Sequence, residues 1–395
     1  MYYNWAIAIG DRARLLELRR PEEAAALWRE ACEKYEKAVE VGMARSYIGG
    51  GRGGETIEGK EGDRLSERVT PMSISRALNN HGLALRQRAM LAAETEESAS
   101  SSEESKTKFL SEAILKFRRA IRISPDFHRA AYNLGTVEFA RGKSEYAAVY
   151  VFSALAMVTS SLPSSSETKN AKTVYSQSAK LVETALPDTQ CGDDSLFAGN
   201  VWFAGGVGKG KERRTTITDF DWARRRFAVC VSAFKTVDSA QTFRIKSESG
   251  DYVPSRNDAW GNSASSSKSP PNHFFNVNLP MLSVESCQPI SDISRPPNCF
   301  AFLLSVREED STTEKENASG SSATPTPTTP PPSPAEEEEK IRHYRFACET
   351  KAERDLWVDA IALLASLAKR GKSESLRSVL LAVKSKRKKR VAFAE

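Results

Sequence analysis

The sequence predicts a multidomain α plus β protein, with a helical N-terminal part and a β-rich C-terminal part. In residues 111–154, small residues recur at helical spacing and large apolar residues fill the positions between them. Small residues on facing helices allow close packing, and Pro125 marks the turn from one helix to the next. From about Ser195 the helical periodicity gives way to short runs rich in β-branched and aromatic residues, which end in one amphipathic helix. A chain of 395 residues is long enough for more than one domain.

Helical hairpins repeat in the first half of the chain. Three similar segments begin the first helices of successive units, namely residues 4–9, 80–85 and 133–137. The matching second helices are predicted over residues 31–38, 113–120 and 147–154. A further helix near residues 170–186 is predicted to cap the exposed end of the stack. We therefore predict a helical-repeat domain over residues 1–188, with flexible inserts at about residues 46–72 and 95–106.

The repeats resemble the tetratricopeptide repeat (TPR), a helix-turn-helix unit of about 34 residues. The matching residues are Ala113, Phe117, Ala120 and Pro125 in one repeat, and Asn133, Leu134, Gly135, Ala147 and Ala154 in the next. The resemblance implies an all-α TPR solenoid of three repeats and a capping helix. It also implies a groove that binds a protein partner and is lined by Asn80, Arg129 and Asn133.

Two interpretations of these groove residues stay open. Some TPR proteins use such residues as a carboxylate clamp, which captures acidic C-terminal peptides, as in cochaperones. Asparagine is also common at this position in ordinary repeats, where it makes local hydrogen bonds. Asn133 stands where clamp proteins carry a second basic residue beside Arg129, so the match to a clamp is incomplete.

The β-rich part is predicted to form one domain over residues 195–372. Strand-like runs occur at residues 222–231, 242–245, 274–277, 300–304 and 343–348, and a helix follows from Lys351 to about Lys369. Disordered loops rich in serine and proline interrupt it at about residues 255–271 and 308–340. Many short strands closed by one helix indicate a small barrel or an orthogonal sandwich.

This part resembles a pleckstrin homology (PH) domain, with the match at residues 221–227 and 344–361. In that family a tryptophan on the closing helix plugs one end of the barrel, so we expect Trp357 to be buried. Many PH domains bind inositol phosphates. The resemblance implies anionic lipid binding by Lys209, Lys211, Arg213, Arg214 and Arg225. Ala223 stands where a further lysine would be, so general attraction to anionic membranes and a purely structural or protein-binding role stay open.

The last residues, 373–395, are predicted to form a basic tail. Every position from Lys384 to Arg390 except Ser385 carries lysine or arginine. As a solvated segment, this tail would attract polyanions such as nucleic acid, anionic lipid or an importin-type receptor. A nuclear interaction protein directed by the tail is therefore an alternative function.

Several other function classes are disfavoured. The formal net charge of +6 is modest for this length, so we expect no specific nucleic-acid partner. No apolar run reaches membrane-spanning length, and the opening residues lack the order of a signal peptide. The first predicted helix begins at the first residues of the sequence, which is also what a truncated N-terminus would look like. No nucleophile with a base, cofactor loop or metal-ligand spacing occurs, so we expect no enzymatic activity, no cofactor and no metal.

The combination of TPR repeats and a PH-like half points to one resemblance. Residues 80–85, 113–137, 221–229 and 357–376 together resemble the plant and algal HYPERSENSITIVE TO LATRUNCULIN B family. That family is associated with the trans-Golgi network and early endosome, and is thought to link post-Golgi traffic to actin. The resemblance implies an adaptor that binds a protein partner through its TPR groove, an anionic endomembrane or phosphoinositide, and actin-linked machinery. We therefore expect a cytoplasmic protein, peripheral on these membranes.

Overall fold

The chain forms two compact units in the computed structural model. The first, the helical unit, comprises Met1–Phe197 and Ala362–Glu395, and the second, the sheet unit, comprises Ala198–Ile361. The structure describes residues 1–49, 70–95, 99–159, 166–204, 222–237, 243–245, 277–291, 296, 298–307 and 341–392. The predicted loops at residues 255–271 and 308–340, and most of the predicted insert at 46–72, lie outside the described residues.

The helical unit is built from successive helices, as the sequence predicts for the N-terminal part. Their bounds are α1 Tyr2–Leu16, α2 Pro21–Gly49, α3 Pro71–Thr95, α4 Ala99–Ile123, α5 His128–Ala140, α6 Ser144–Thr159 and α7 Ser166–Val182. The end of α8 (Lys351–Lys369) and the whole of α9 (Ser373–Ala392) also belong to this unit. Helices α1 and α2, α3 and α4, and α5 and α6 pack as hairpins. None of the described helices has both the length and the apolar character needed to cross a bilayer.

Each hairpin closes over a glycine that faces a large side chain of the second helix. A Cβ atom at Gly82 in α3 would lie 2.7 Å from a ring atom of Phe117 in α4. A Cβ atom at Gly10 in α1 would lie 3.0 Å from the ring of Trp28 in α2. In the third hairpin, Gly135 meets Val151 in the same way, at 2.8 Å. These distances are shorter than ordinary van der Waals contact, so only glycine lets the paired backbones approach this closely.

The register of the first hairpin differs from the prediction. Trp28 and Phe117 occupy equivalent positions, because each packs against the glycine of its own hairpin. Fully buried alanines flank both residues at the same spacing: Ala24 and Ala31 in α2, and Ala113 and Ala120 in α4. The predicted second helix at residues 31–38 therefore lies two helical turns too far along α2. The error arose because Ala31 and Ala38 repeat the spacing of Ala24 and Ala31.

Most of the predicted flexible insert at residues 95–106 is helical instead. Helix α4 begins at Ala99, and Ser102 is buried, with its Oγ donating to the carbonyl of Ala92 in α3 at 3.2 Å. Lys106 pairs with Glu103 one turn earlier. The polar composition suggested a loop, but the Lys106–Glu103 ion pair on the solvent side and the buried serine support the helix over this segment.

The predicted basic tail is also structured. Residues 373–392 form α9, which packs against α6, and its Leu376 and Leu380 have no exposed surface. Helix α6 is apolar on all sides and is buried from Ala147 to Val158. A helix that is apolar all round needs neighbours on every side. The predicted cap, α7, packs against α6 as well, and α9 supplies a second cover that the sequence reading missed.

The sheet unit holds an antiparallel sheet, as predicted for the C-terminal part. Its strands are β1 Ser195–Ala204, β2 Trp222–Cys230, β3 Ala233–Thr236, β4 Phe243–Ile245, β5 Asn278–Pro280, β6 Val284–Ile290, β7 Phe300–Arg307 and β8 Ile341–Cys348. The first three residues of β1 belong to the helical unit, and the rest of the strand lies in the sheet unit. The strand order is β5-β3-β2-β1-β8-β7-β6, and β4 pairs with β2. Strand β8 pairs antiparallel with both β1 and β7, so the last strand lies beside the first.

The core of the sheet unit is aromatic. Phe346 on β8 stands opposite Phe203 on β1 and Phe302 on β7, and its ring stacks on both. Helix α8 begins at Lys351 as predicted, and its Trp357 is 1% exposed. The ring centroids of Trp357 and Phe234 lie 5.9 Å apart in an edge-to-face arrangement. The expectation that Trp357 is buried is therefore confirmed.

We expect Gly82→Ala to lower the free energy of unfolding of the helical unit by about 1–3 kcal/mol. The added methyl group overlaps the fully buried ring of Phe117, and this overlap outweighs the better helix propensity of alanine. Urea unfolding followed by circular dichroism measures the change.

A double-mutant cycle provides the control for this prediction. In a Phe117→Leu background the smaller side chain leaves room, so Gly82→Ala should cost clearly less there than in the wild type. Equal costs in the two backgrounds would show that the close approach to Phe117 does not determine this position.

Candidate functional site

A row of side-chain hydrogen bonds connects the first helices of the three hairpins. Asn80 in α3 donates from Nδ2 to the hydroxyl oxygen of Tyr3 in α1 at 3.1 Å. Asn79 donates to Oδ1 of Asn80 at 3.2 Å, and Asn133 in α5 donates to Oδ1 of Asn79 at 2.8 Å. We call these four residues the amide row. The row joins α1, α3 and α5 in one continuous chain of polar contacts.

The amide row accounts for two of the three predicted groove residues. Asn80 and Asn133 are half-buried, and Asn79 between them is 3% exposed. A buried amide without hydrogen bonds would be costly, so these contacts hold the helices in register. In a carboxylate clamp the two asparagines would donate to a peptide, whereas here each donates to another side chain of the row. Asn4, which begins the first of the three similar segments as Asn80 and Asn133 begin the others, is exposed and is not part of the row.

Arg129, the third predicted groove residue, lies at the surface. It pairs with Glu167 of α7, and the two side chains are 49% and 71% exposed. An exposed ion pair contributes at most about 1 kcal/mol, so an acidic partner can replace Glu167 at small cost. Arg129 precedes Asn133 by one turn, as Arg76 precedes Asn80, and Arg76 is also exposed. The sequence reading missed Arg76, although its spacing from Asn80 was visible.

Aromatic contacts fix α5 against α7 beside Arg129. The rings of Tyr132 and Tyr175 stack with centroids 4.1 Å apart, and the hydroxyl of Tyr132 lies 3.0 Å from Oγ of Ser178. Nδ1 of His128 lies 2.9 Å from the Tyr175 hydroxyl. Burial raises the pKa of Tyr175. Burial also lowers the pKa of His128 to about 4, and the positive charge of Arg129 lowers it further. Both groups are therefore neutral near pH 7.

A second histidine lies behind the amide row. His81 is 4% exposed, its ring stacks on that of Tyr35, and its Nδ1 has no hydrogen-bond partner among the described residues. Burial lowers the pKa of His81 to about 4, and the charge of Lys116 adds to this, while Glu36 opposes it. His81 is therefore a neutral core residue of α3, and its ring packs against Tyr35 of α2.

In the sheet unit, one of the five predicted lipid-binding residues is described. Lys209, Lys211, Arg213 and Arg214 lie outside the described residues. Arg225 on β2 is half-buried and alternates onto the same face as Phe227 and Val229, which is the face of the core. Its neighbour Arg224 lies on the other face, where it pairs with Glu349 at 2.7 Å. Arg225 therefore extends the core face of the sheet with a basic side chain.

No protein-family model matches the chain, and no curated protein matches it in sequence. Within the described ranges, no group of histidine, cysteine and carboxylate side chains could hold a metal ion. The best-defined arrangement is the amide row, with Arg76 and Arg129 exposed one turn from its asparagines.

We expect the stability of the helical unit to fall as the pH drops from about 6.5 to about 4, in part through His81. The unfolded chain binds a proton at the ordinary pKa of 6.5, whereas the folded chain binds it only near pH 4. The free energy of unfolding is therefore unaffected by His81 above pH 6.5. It falls between pH 6.5 and about 4, and below pH 4 the loss that His81 causes stays constant. Its size is up to about 3 kcal/mol.

The variant His81→Phe tests this assignment, because phenylalanine keeps the stacked ring and removes the titration. Thermal unfolding from pH 7.5 to pH 4 should show a smaller loss of stability for the variant than for the wild type. Identical slopes for the two proteins would mean that His81 is not a source of the acid sensitivity.

Proposed function

We propose that the chain is a non-enzymatic adaptor, whose helical unit binds a segment of a protein partner through α1, α3 and α5. The amide row carries this proposal, because it makes the first helices of three hairpins one connected surface. Cationic side chains stand at the edge of that surface, at Arg76 and Arg129, and both are exposed. A surface of this kind can contact a partner segment at several points along its length.

The packing of the hairpins supports a TPR-type solenoid. In each hairpin a glycine of the first helix meets a large side chain of the second, with alanines on either side of it. This is the pattern of small and large residues on which the resemblance to tetratricopeptide repeats rests. In such a solenoid, the first helices line the inner face, which is the face that binds partners in that family.

The chemistry of the surface favours an acidic, extended partner segment. Arg76 and Arg129 supply positive charge, and the amides supply donors and acceptors between them. A cochaperone-type protein that captures acidic C-terminal peptides would use the same residues, with Arg129 and Asn133 one turn apart. In that case the asparagines would have to exchange their mutual hydrogen bonds for bonds to the peptide carboxylate.

The sheet unit is proposed to be a PH-like barrel that aids association with anionic endomembranes. Two observations support this proposal: the last strand pairs with the first, and the helix that follows carries a buried tryptophan. Arg225 supplies one basic group on the core face of β2. By the family resemblance, the membranes would be the trans-Golgi network and early endosome, with a link from post-Golgi traffic to actin. A nuclear role directed by the basic residues of α9 is the alternative.

We expect Arg129→Ala to weaken partner binding by roughly fivefold to thirtyfold, because it removes an exposed cation next to the amide row. Glu167→Ala is the matched control, since it breaks the same ion pair but leaves the arginine in place. Binding of a fluorescent acidic peptide with a free C-terminal carboxylate should fall for Arg129→Ala and should persist or rise for Glu167→Ala.

A peptide amidated at its C-terminus distinguishes the two versions of this proposal. Equal binding of the amidated peptide would contradict the clamp and leave the adaptor. If neither peptide binds, proximity labelling in the native cell tests whether a protein partner binds at this surface. An identical set of labelled proteins for the wild type and Arg129→Ala would then contradict binding at this surface.

For the sheet unit, we expect Arg225→Gln to reduce sedimentation with vesicles that contain anionic lipid. One basic residue near a membrane surface contributes about 1 kcal/mol, or roughly a fivefold change in affinity, and less at high salt. Arg224→Gln is the control, because it removes the same charge from the opposite face. Equal losses for the two variants would indicate general attraction, and no loss for either would contradict a role of this strand in lipid binding.

A further inference from the structure

Helix α9 is held on the helical unit by two buried leucines and a buried lysine on one side of the helix. Leu376 and Leu380 have no exposed surface, and Lys384 is 4% exposed. The three residues follow one another at intervals of one helical turn, so they share one face. Of the described elements, α6 is the one against which α9 packs extensively. Since α6 is apolar on all sides, the two leucines meet a partner of matching chemistry.

The ammonium group of Lys384 fills a cage of oxygen atoms. Nζ donates to the carbonyl oxygens of Ser195 at 2.8 Å and of Gly192 at 3.1 Å, and to Oγ of Ser195 at 2.8 Å. Oγ of Ser195 donates in turn to the carbonyl of Gly192 at 2.7 Å, so it accepts from the lysine. Gly192 has φ +102°, a conformation that side chains rarely adopt, and opens the turn that forms the cage. A lysine has three donors, and each finds an oxygen here.

The contacts around this centre are weaker. Arg387 donates to the carbonyl of Leu186 at 3.2 Å and lies 3.5 Å from Asp188, with both charged side chains largely exposed. Ser385 and Lys386 are exposed. Because these contacts lie at the surface, Arg387 adds little to the attachment that the two leucines and Lys384 provide.

The connection before α9 is suited to release. Arg370 pairs with Asp126 in the turn between α4 and α5, which fixes the chain at the end of α8. Gly371 follows with φ +67°, and no atom lies within 4 Å of the position of its Cβ. The N–H groups of Gly371 and Lys372 donate to the carbonyls of Ala368 and Leu367 at 3.0 Å and 2.8 Å and cap the end of α8. The chain can therefore change direction after Lys372 while α8 keeps its cap.

We propose that α6 and the turn at residues 192–195 form a docking site for a helix, which α9 fills in cis and a partner helix can fill in its place. The site binds a helix that carries a leucine, a second leucine one turn later and a lysine one turn after that, as Leu376, Leu380 and Lys384 do in α9. The oxygen cage supplies charge complementarity, because the carbonyl oxygens of a turn accept an ammonium group and reject an apolar or acidic side chain. The partner is therefore a helix of a protein that carries this pattern. The site is separate from the amide row and does not depend on the proposed adaptor surface.

The test uses the full chain with a site-specific protease sequence inserted after Lys372. The protein is folded, cut at this site, and offered a synthetic peptide of residues 373–392 in excess. A fluorescent label at the C-terminus reports α9. We expect the cut chain to keep its labelled α9 through gel filtration, and the peptide to displace it at concentrations on the order of 10 µM.

Two variant peptides make the test specific. Lys384→Met keeps the length of the side chain but removes the ammonium group, and Lys386→Met removes one charge from an exposed position. We expect Lys386→Met to displace α9 as well as the native peptide does, and Lys384→Met to be at least about tenfold weaker. In the intact chain, Lys384→Met should bind the native peptide at least about tenfold more tightly than the wild type, because its own α9 competes less.

Three results would overturn the proposal. The first is that α9 leaves on cutting and does not rebind at about 100 µM peptide, or that the cut chain loses its helical signal in circular dichroism. The second is equal competition by the Lys384→Met and Lys386→Met peptides. The third is that the intact wild type binds the peptide as tightly as the intact Lys384→Met variant does.

Discussion

The close approach of paired helices at a glycine is the constraint on which the helical unit depends. At Gly10 and Gly82 the ring of a buried aromatic residue occupies the space of a missing side chain, so the two helices of a hairpin can cross at only one register. Once the register is set, the asparagines of successive first helices come within hydrogen-bond distance. The polar surface proposed to bind a partner is therefore a consequence of apolar packing on the other side of the same helices.

Buried polar groups set the positions of the helices, and exposed charges remain available for partners. Asn79 and Lys384 are both almost fully buried, and each has hydrogen bonds that a displaced helix would lose. Arg129 and Arg224, by contrast, pair with carboxylates in water, where the pairs contribute little to stability. This division explains why the residues best suited to recognition are those least needed for the fold.

Periodicity and proline placement were enough to predict the helical and β-rich parts and helix α8, and the PH resemblance implied the burial of Trp357. They also placed Asn80 and Asn133 on one surface, because a repeat carries equivalent residues to equivalent places. They could not reveal Asn79 as the link between them, since contacts between helices depend on packing that no single helix encodes. In α9, the density of charge after Val383 concealed the leucine pattern before it. The burial of Lys384 could not be predicted either, because a buried ammonium group needs oxygen acceptors, and these come from residues about 190 positions earlier in the chain.

The helical unit is discontinuous in sequence, since Ala362–Glu395 completes what Met1–Phe197 begins and all of Ala198–Ile361 lies between them. A ribosome therefore delivers α6 long before it delivers the helix that covers it. Until α9 has been translated, the surface of α6 that it covers is open to chaperones and to other unfinished chains. Truncation before α9 would then be expected to impair the N-terminal half of the protein.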